Sequence, residues 1–117
     1  MLLLLALLAL GLYPAAHAAI RAVQRGDEAA SQGRYSAALE AYAEAAARTP
    51  GSPLPLLRRA EVYLAQGRHA EAQAAILAAV EVGGLDDRST RALARLYLAQ
   101  GSLERAMELL RAPRSSE

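Results

Sequence analysis

The pentapeptide YLAQG occurs at Tyr63–Gly67 and returns 34 residues later at Tyr97–Gly101. The same shift aligns three Gln-Gly pairs, and an alanine follows each of these glycines by five residues. A fixed period of this length is typical of chains that stack small helical units side by side. The aligned positions are Gln32-Gly33, Gln66-Gly67 and Gln100-Gly101, followed by Ala38, Ala72 and Ala106.

Each copy is predicted to contain two helices. In LLRRAEVYLAQG the apolar positions Leu56, Ala60 and Leu64 return at helical spacing. Gly67 then ends the helix, because glycine adopts the left-handed C-terminal conformation at little cost. The following segment, RHAEAQAAILAAVEV, resumes the helical pattern. The sequence therefore predicts an all-α fold, a short solenoid of about three helix–turn–helix copies preceded by a hydrophobic N-terminal helix.

The starts and breaks of helices also carry signals. Ser52 stands before Pro53, where a hydroxyl cap ahead of a proline in the first helical position is expected. Asp86 is predicted to cap the first helix of the third copy, where its charge suits the helix dipole. Gly11 and Pro14 are expected to break the apolar run near the amino terminus.

A 34-residue helix–turn–helix copy with a glycine turn, a small residue five positions later and a proline near its end resembles the tetratricopeptide repeat (TPR). The best-matching stretch is QGRYSAALEAYAEAAARTPGS. The resemblance covers about residues 19–112, with repeats at 19–52, 53–86 and 87–112 and a polar tail at 113–117. The chain departs from the family pattern in three ways. No aromatic residue stands early in each first helix, Gly84 replaces the closing proline of the second copy, and Pro113 falls where the second helix of the third copy should continue. The early positions hold Ala22, Leu56 and Thr90.

The resemblance implies a protein–protein interaction module that binds a peptide or protein segment in a concave groove lined by the first helices. Arg88, Arg91 and Arg95 are spaced three and four residues apart, which places them on one helical face. Their guanidinium groups suit an acidic segment or a C-terminal carboxylate. The alternative is a solvated charged face paired with Asp87 and nearby acids. The candidate partner-binding residues are Leu57, Glu61, Arg88, Arg91 and Arg95.

One form of TPR recognition is excluded by composition. TPR domains that serve as chaperone adaptors hold a C-terminal carboxylate with a clamp of Lys and Asn side chains. This chain contains neither residue type, and all of its thirteen cationic side chains are Arg. That clamp is therefore absent.

Nothing in the sequence indicates catalysis, a cofactor or a metal. There is no Cys, His69 lacks the carboxylate or Cys neighbours that a metal site requires, and His17 lies in the apolar amino-terminal segment. No Ser is placed with a base and an orienting acid, and no glycine-rich phosphate loop occurs. The net charge of +1 does not favour nucleic acid as a partner. We therefore expect a protein or peptide partner and no enzymatic activity.

The first residues resemble a targeting segment. Met1 to Ile20 carry no charged side chain, and Leu2 to Leu12 form an eleven-residue apolar run. Ala16-His17-Ala18 offers the small-x-small pattern at which signal peptidases cut. Residues 1–19 are thus predicted to be a signal peptide or a membrane anchor, and the protein to be exported (secreted or periplasmic) or membrane-anchored. A retained anchor that leaves the array facing the cytoplasm is the alternative.

A second functional hypothesis is structural. Pro113 closes the last predicted helix, and Leu109 and Leu110 lie just before it. No further helix is predicted to cover them, so this end could self-associate, or stack on further repeats of a longer parent chain.

Overall fold

The computed structural model describes residues 1–111, with backbone alone for residues 7–13 and 15. The described part is all-α and forms three helix–turn–helix repeats, as predicted. Residues 112–117, including the predicted polar tail and Pro113, lie outside it. The helices are α1 (Leu2–Ser31), α2 (Tyr35–Arg48), α3 (Leu54–Ala65), α4 (His69–Gly83), α5 (Asp87–Ala99) and α6 (Leu103–Arg111).

The turns inside the repeats are built as the sequence predicts. Gly33, Gly67 and Gly101 have φ values of 74°, 73° and 78°, the left-handed region that other residues enter at a cost. Five residues after each turn, Ala38, Ala72 and Ala106 are 0%, 0% and 1% exposed. Their small side chains allow the paired helices to approach closely.

The chain divides into two compact units, residues 1–50 and 51–117. In the first unit α1 packs against α2. Tyr42 of α2 is 2% exposed and donates a hydrogen bond from its hydroxyl to Asp27 Oδ1 at 2.5 Å. Gly26 leaves room for this ring, since a Cβ on it would come within 2.4 Å of Tyr42 Cε1.

In the second unit α3 pairs with α4, α5 pairs with α6, and α5 also packs on both α3 and α4. A single apolar core joins α3, α4 and α5. Its largest fully buried members are Ile76 and Leu96. The other members are Leu57, Ala60, Ala72, Ala75, Ala79 and Ala92.

Three local expectations are corrected. The predicted break at Gly11 and Pro14 is wrong, because α1 continues through Pro14 to Ser31. A proline removes a single backbone hydrogen bond, and the surrounding Leu and Ala residues favour helix. The predicted N-terminal segment is therefore not a separate helix but the start of the first helix of the first repeat.

The third correction concerns Ser52. Helix α3 has Pro53 at its cap position and no side-chain cap hydrogen bond. By contrast, Asp86 caps α5 as predicted: its carboxylate accepts a hydrogen bond from the backbone amide of Ser89 at 2.9 Å, and the Ser89 hydroxyl accepts one from the Asp86 amide.

Within the described residues, no helix combines the length and the apolar character needed to cross a membrane.

Candidate functional site

A cleft of about 310 Å³ lies between α3 and α5 in the second unit. We call it the arginine cleft. It contains all five residues that the sequence nominated for partner binding, together with three that it did not nominate. Its lining is Leu54, Leu57, Arg58 and Glu61 from α3, and Arg88, Arg91, Ala92 and Arg95 from α5.

The two walls come from equivalent positions of adjacent repeats. Each wall residue on α5 lies 34 positions after one on α3, so the period sets the two helices face to face. The chemistry differs sharply between copies, because apolar or acidic residues on α3 are replaced by arginine on α5. The pairs are Leu54 with Arg88, Leu57 with Arg91, and Glu61 with Arg95.

The floor of the cleft is apolar. Leu57 is 6% exposed and Ala92 is 8% exposed, and both also belong to the core. Leu57 was expected as an open groove residue; the structure places it at the base, where the hydrophobic cluster fixes its side chain. A ligand in the cleft would therefore meet a rigid apolar surface below and charged groups above.

One end of the cleft is occupied by an internal ion network. Glu61 lies 3.3 Å from Arg58 Nη1 and 3.7 Å from Arg95 Nη1. These groups are well exposed, with 43% of the Glu61 side chain and 66% of the Arg95 side chain accessible. Ion pairs at this exposure contribute about 0–1 kcal/mol. Water or a ligand can therefore replace them at little cost.

The other end of the cleft presents an arginine side chain that can bind a ligand. In the described part of the chain, Arg91 makes no hydrogen bond or ion pair that engages its guanidinium group. The hydrogen bond from the Ser89 amide is the main cause that holds the pKa of Asp86 below its usual value. Arg88 also lowers this pKa, so its guanidinium group has a carboxylate nearby. Asp86 is thus partly engaged by its own helix, and Arg91 remains available.

The sequence did not nominate Leu54, Arg58 or Ala92 for partner binding. Arg58 directly follows Leu57 and precedes Glu61 by three residues, so helical spacing alone could have placed it at the cleft edge. Ala92 gives no such signal, because a small core residue looks the same whether or not it also borders a cleft.

No metal-binding arrangement accompanies the cleft. Among residues 1–111, as far as their side chains are described, no group of three His, Cys, Asp or Glu residues converges as a metal site would require.

Comparisons with known proteins agree with this architecture. A family model described as tetratricopeptide repeat matches residues 29–88. Among solved structures, the chain is similar to the first TPR of Spaghetti (RPAP3) bound to HSP90 peptide SRMEEVD, with a TM-score of 0.73 and 21% identity. The match covers 80% of this chain and 76% of that chain. At this identity the likeness concerns the fold. No curated protein matches the chain at a significant level.

Proposed function

This chain belongs to the tetratricopeptide repeat family, and on that premise we propose that it is a protein-interaction module whose arginine cleft binds an acidic peptide segment. The observation that carries the proposal is the cleft itself: four arginines and one glutamate surround an apolar floor. Such an excess of positive charge at a concave surface attracts carboxylates.

The side-chain chemistry defines the ligand further. Arginine presents a planar fork of donors that binds a carboxylate through two parallel hydrogen bonds. Arg91 and Arg88 would receive the acidic group of the ligand, while Leu57 and Ala92 would support an apolar side chain next to it. Because Glu61 holds the other end with Arg58 and Arg95, the ligand is expected to carry its acid toward Arg88 and Arg91.

The structural neighbour supports a peptide ligand. The first TPR of RPAP3 is bound to the HSP90 peptide SRMEEVD, whose last four residues include three acids. The present chain lacks Lys and Asn, so it would bind acids through arginine alone. We therefore propose the class of ligand, an acidic segment with an adjacent apolar residue, without transferring that partner to this chain.

Selection from a displayed library of random peptides tests the proposal. The full chain serves as bait, and a variant with Arg88, Arg91 and Arg95 replaced by Gln serves for counter-selection. Peptides that prefer the wild type are expected to be enriched in Asp or Glu beside an apolar residue. Enrichment of neutral or basic peptides, or equal capture by both baits, would contradict it. Circular dichroism of the variant shows whether its helices are intact.

A matched control isolates the cleft from general charge. Arg105 is an exposed cation on α6, outside the cleft lining. Arg105→Gln removes the same charge as a single cleft substitution. It is expected to leave peptide capture unchanged, whereas Arg91→Gln is expected to reduce it.

We also propose that the module acts outside the cytoplasm or at a membrane surface. The support is the uncharged stretch before Arg21 and the small-x-small pattern that ends at Ala18. A cut there would leave Ala19 and Ala22, which are 4% and 0% exposed, at the start of the first repeat. Intact mass and cell fractionation of the expressed protein test this: a mature chain that begins near Ala19 supports export. An uncleaved chain in the soluble cytoplasmic fraction would refute it.

A further inference from the structure

Helix α6 carries an exposed apolar strip. Leu103, Met107 and Leu110 are 58%, 41% and 46% exposed, and their spacing of four and three residues places them on one helical face. We call these three residues the α6 strip. Three large apolar side chains in a row on one helix are more than the scattered exposed residues of an ordinary surface.

The preceding repeat shows how the position of Leu110 packs when another helix follows. Leu110 is equivalent to Ile76, 34 residues earlier on α4. Ile76 is fully buried in the core that also contains Ala92 and Leu96 of α5. The helix that follows α4 thus helps to cover Ile76. No helix within the described residues follows α6, so Leu110 keeps nearly half of its surface exposed.

The charged residues beside the α6 strip indicate which kind of surface would pack against it. Glu104 lies in the first turn of α6, Glu108 lies just after its middle and Arg111 lies at its end, and all three surround Met107 in a shallow surface depression. An antiparallel copy of α6 brings Glu104 of each chain to Arg111 of the other. A parallel copy would place Glu104 of each chain at the opposite end of the contact from Arg111 of the other, so the two could not pair. A lipid surface would favour basic residues on this face rather than two acids.

We propose that α6 is a self-association surface, where two copies of this chain pair their α6 helices antiparallel across a two-fold axis near Met107. The α6 strips pack together, and two Glu104–Arg111 pairs flank them. A two-fold axis makes the contact self-complementary and closed. A surface of two nine-residue helices falls in the range of weak, reversible interfaces. The association is therefore expected to depend on concentration and, through its ion pairs, on salt.

Single-cysteine cross-linking tests the proposal on the full chain. Since the chain has no native Cys, one introduced thiol reports one position. Met107→Cys places thiols near the axis, so mild oxidation is expected to give a disulfide-linked dimer. Gln73→Cys is the matched control, because Gln73 is the exposed equivalent of Met107 on α4. It should stay monomeric under the same conditions.

Each outcome decides the matter. Dimer from Met107→Cys alone supports the pairing. Equal cross-linking of both variants points to association through another surface, such as the apolar amino-terminal residues, and overturns it. No dimer from either variant also overturns it, and would leave the strip to a different protein or to further repeats.

A charge exchange tests the antiparallel geometry. In the Met107→Cys background, Glu104→Arg sets like charges together and is expected to remove most of the cross-linked dimer. Adding Arg111→Glu restores opposite charges and should recover it. Because the double variant keeps any local cost of an arginine in the first turn of α6, recovery separates pairing from simple loss of helix. Failure to recover, with helicity retained by circular dichroism, refutes the geometry.

Discussion

Replacing Gly26 by Ala is expected to destabilise the first unit, although the same change usually stabilises a helix. Gly26 lies inside α1 and is buried. A Cβ there would lie 2.4 Å from Cε1 and 2.6 Å from Cδ1 of Tyr42. These distances are well inside van der Waals contact, so the ring or the backbone must move.

The magnitude follows from two opposed terms. Alanine in place of a mid-helix glycine contributes about 1 kcal/mol of helix propensity. Overpacking of a core costs about 1–3 kcal/mol. The upper end applies here, because Tyr42 is 2% exposed and its hydroxyl is bonded to Asp27, so the ring has little freedom to retreat. The net effect is a loss of about 2 kcal/mol.

Urea unfolding followed by circular dichroism measures this loss, which should lower the midpoint by roughly 1 M. The second repeat supplies the rescue, since Ala60 and Ile76 occupy the positions equivalent to Gly26 and Tyr42 and are both 0% exposed. In a Tyr42→Ile background, Gly26→Ala should therefore stabilise by about 1 kcal/mol. A neutral or stabilising Gly26→Ala beside an intact Tyr42 refutes the steric argument.

Three further predictions concern single sites. Thr90 is 1% exposed, and its hydroxyl lacks a hydrogen-bond partner among the described residues. Thr90→Val should therefore raise the free energy of unfolding by about 1 kcal/mol, and a lower free energy in urea unfolding would contradict this. The Ser89 amide lowers the pKa of Asp86, so this cap contributes fully above the ordinary carboxyl pKa and loses its contribution as the pH falls through the lowered folded-state pKa. Asp86→Asn should remove that part of the acid dependence of stability, and unchanged acid melts would contradict it. Gly67→Ala forces alanine to a φ of +73° and should lower the free energy of unfolding by about 1 kcal/mol, whereas Gly51→Ala, at an open site without positive φ, should leave it nearly unchanged. Equal melting temperatures of the two variants would refute the distinction.

The repeat architecture was predictable because it depends on signals local to each copy. Glycine after a helical stripe predicts a left-handed turn, and Gly33, Gly67 and Gly101 all adopt one. Asp86 shows that a cap with its partner three residues later can also be read from sequence. In each case a few neighbouring residues determine the conformation.

The errors arose where neighbours compete with a local signal. Pro14 was expected to break the apolar run near the amino terminus, yet helix formers on both sides carry α1 through it. Ser52 has the right residue type for a cap, but α3 begins at Leu54 and leaves it one position outside the cap. Helix boundaries of this kind depend on packing, which a single sequence does not display.

The cleft was predictable in its position but not in its depth. The period of 34 residues places Glu61 opposite Arg95, and the structure brings them to 3.7 Å. The network at Glu61 also includes Arg58, which sequence reasoning missed. That Leu57 lies at the base follows from a core shared by three helices, and no local pattern reveals this.

The affinity of one acidic peptide for the full chain and for Arg91→Gln tests the central claim most directly. The peptide is the strongest one from the display selection, measured by isothermal titration calorimetry at two salt concentrations. Removing one charged hydrogen-bonding partner should weaken binding roughly tenfold and reduce its salt dependence. Equal affinity for both proteins, with Arg91→Gln fully helical, would contradict the assignment of the arginine cleft as the binding site.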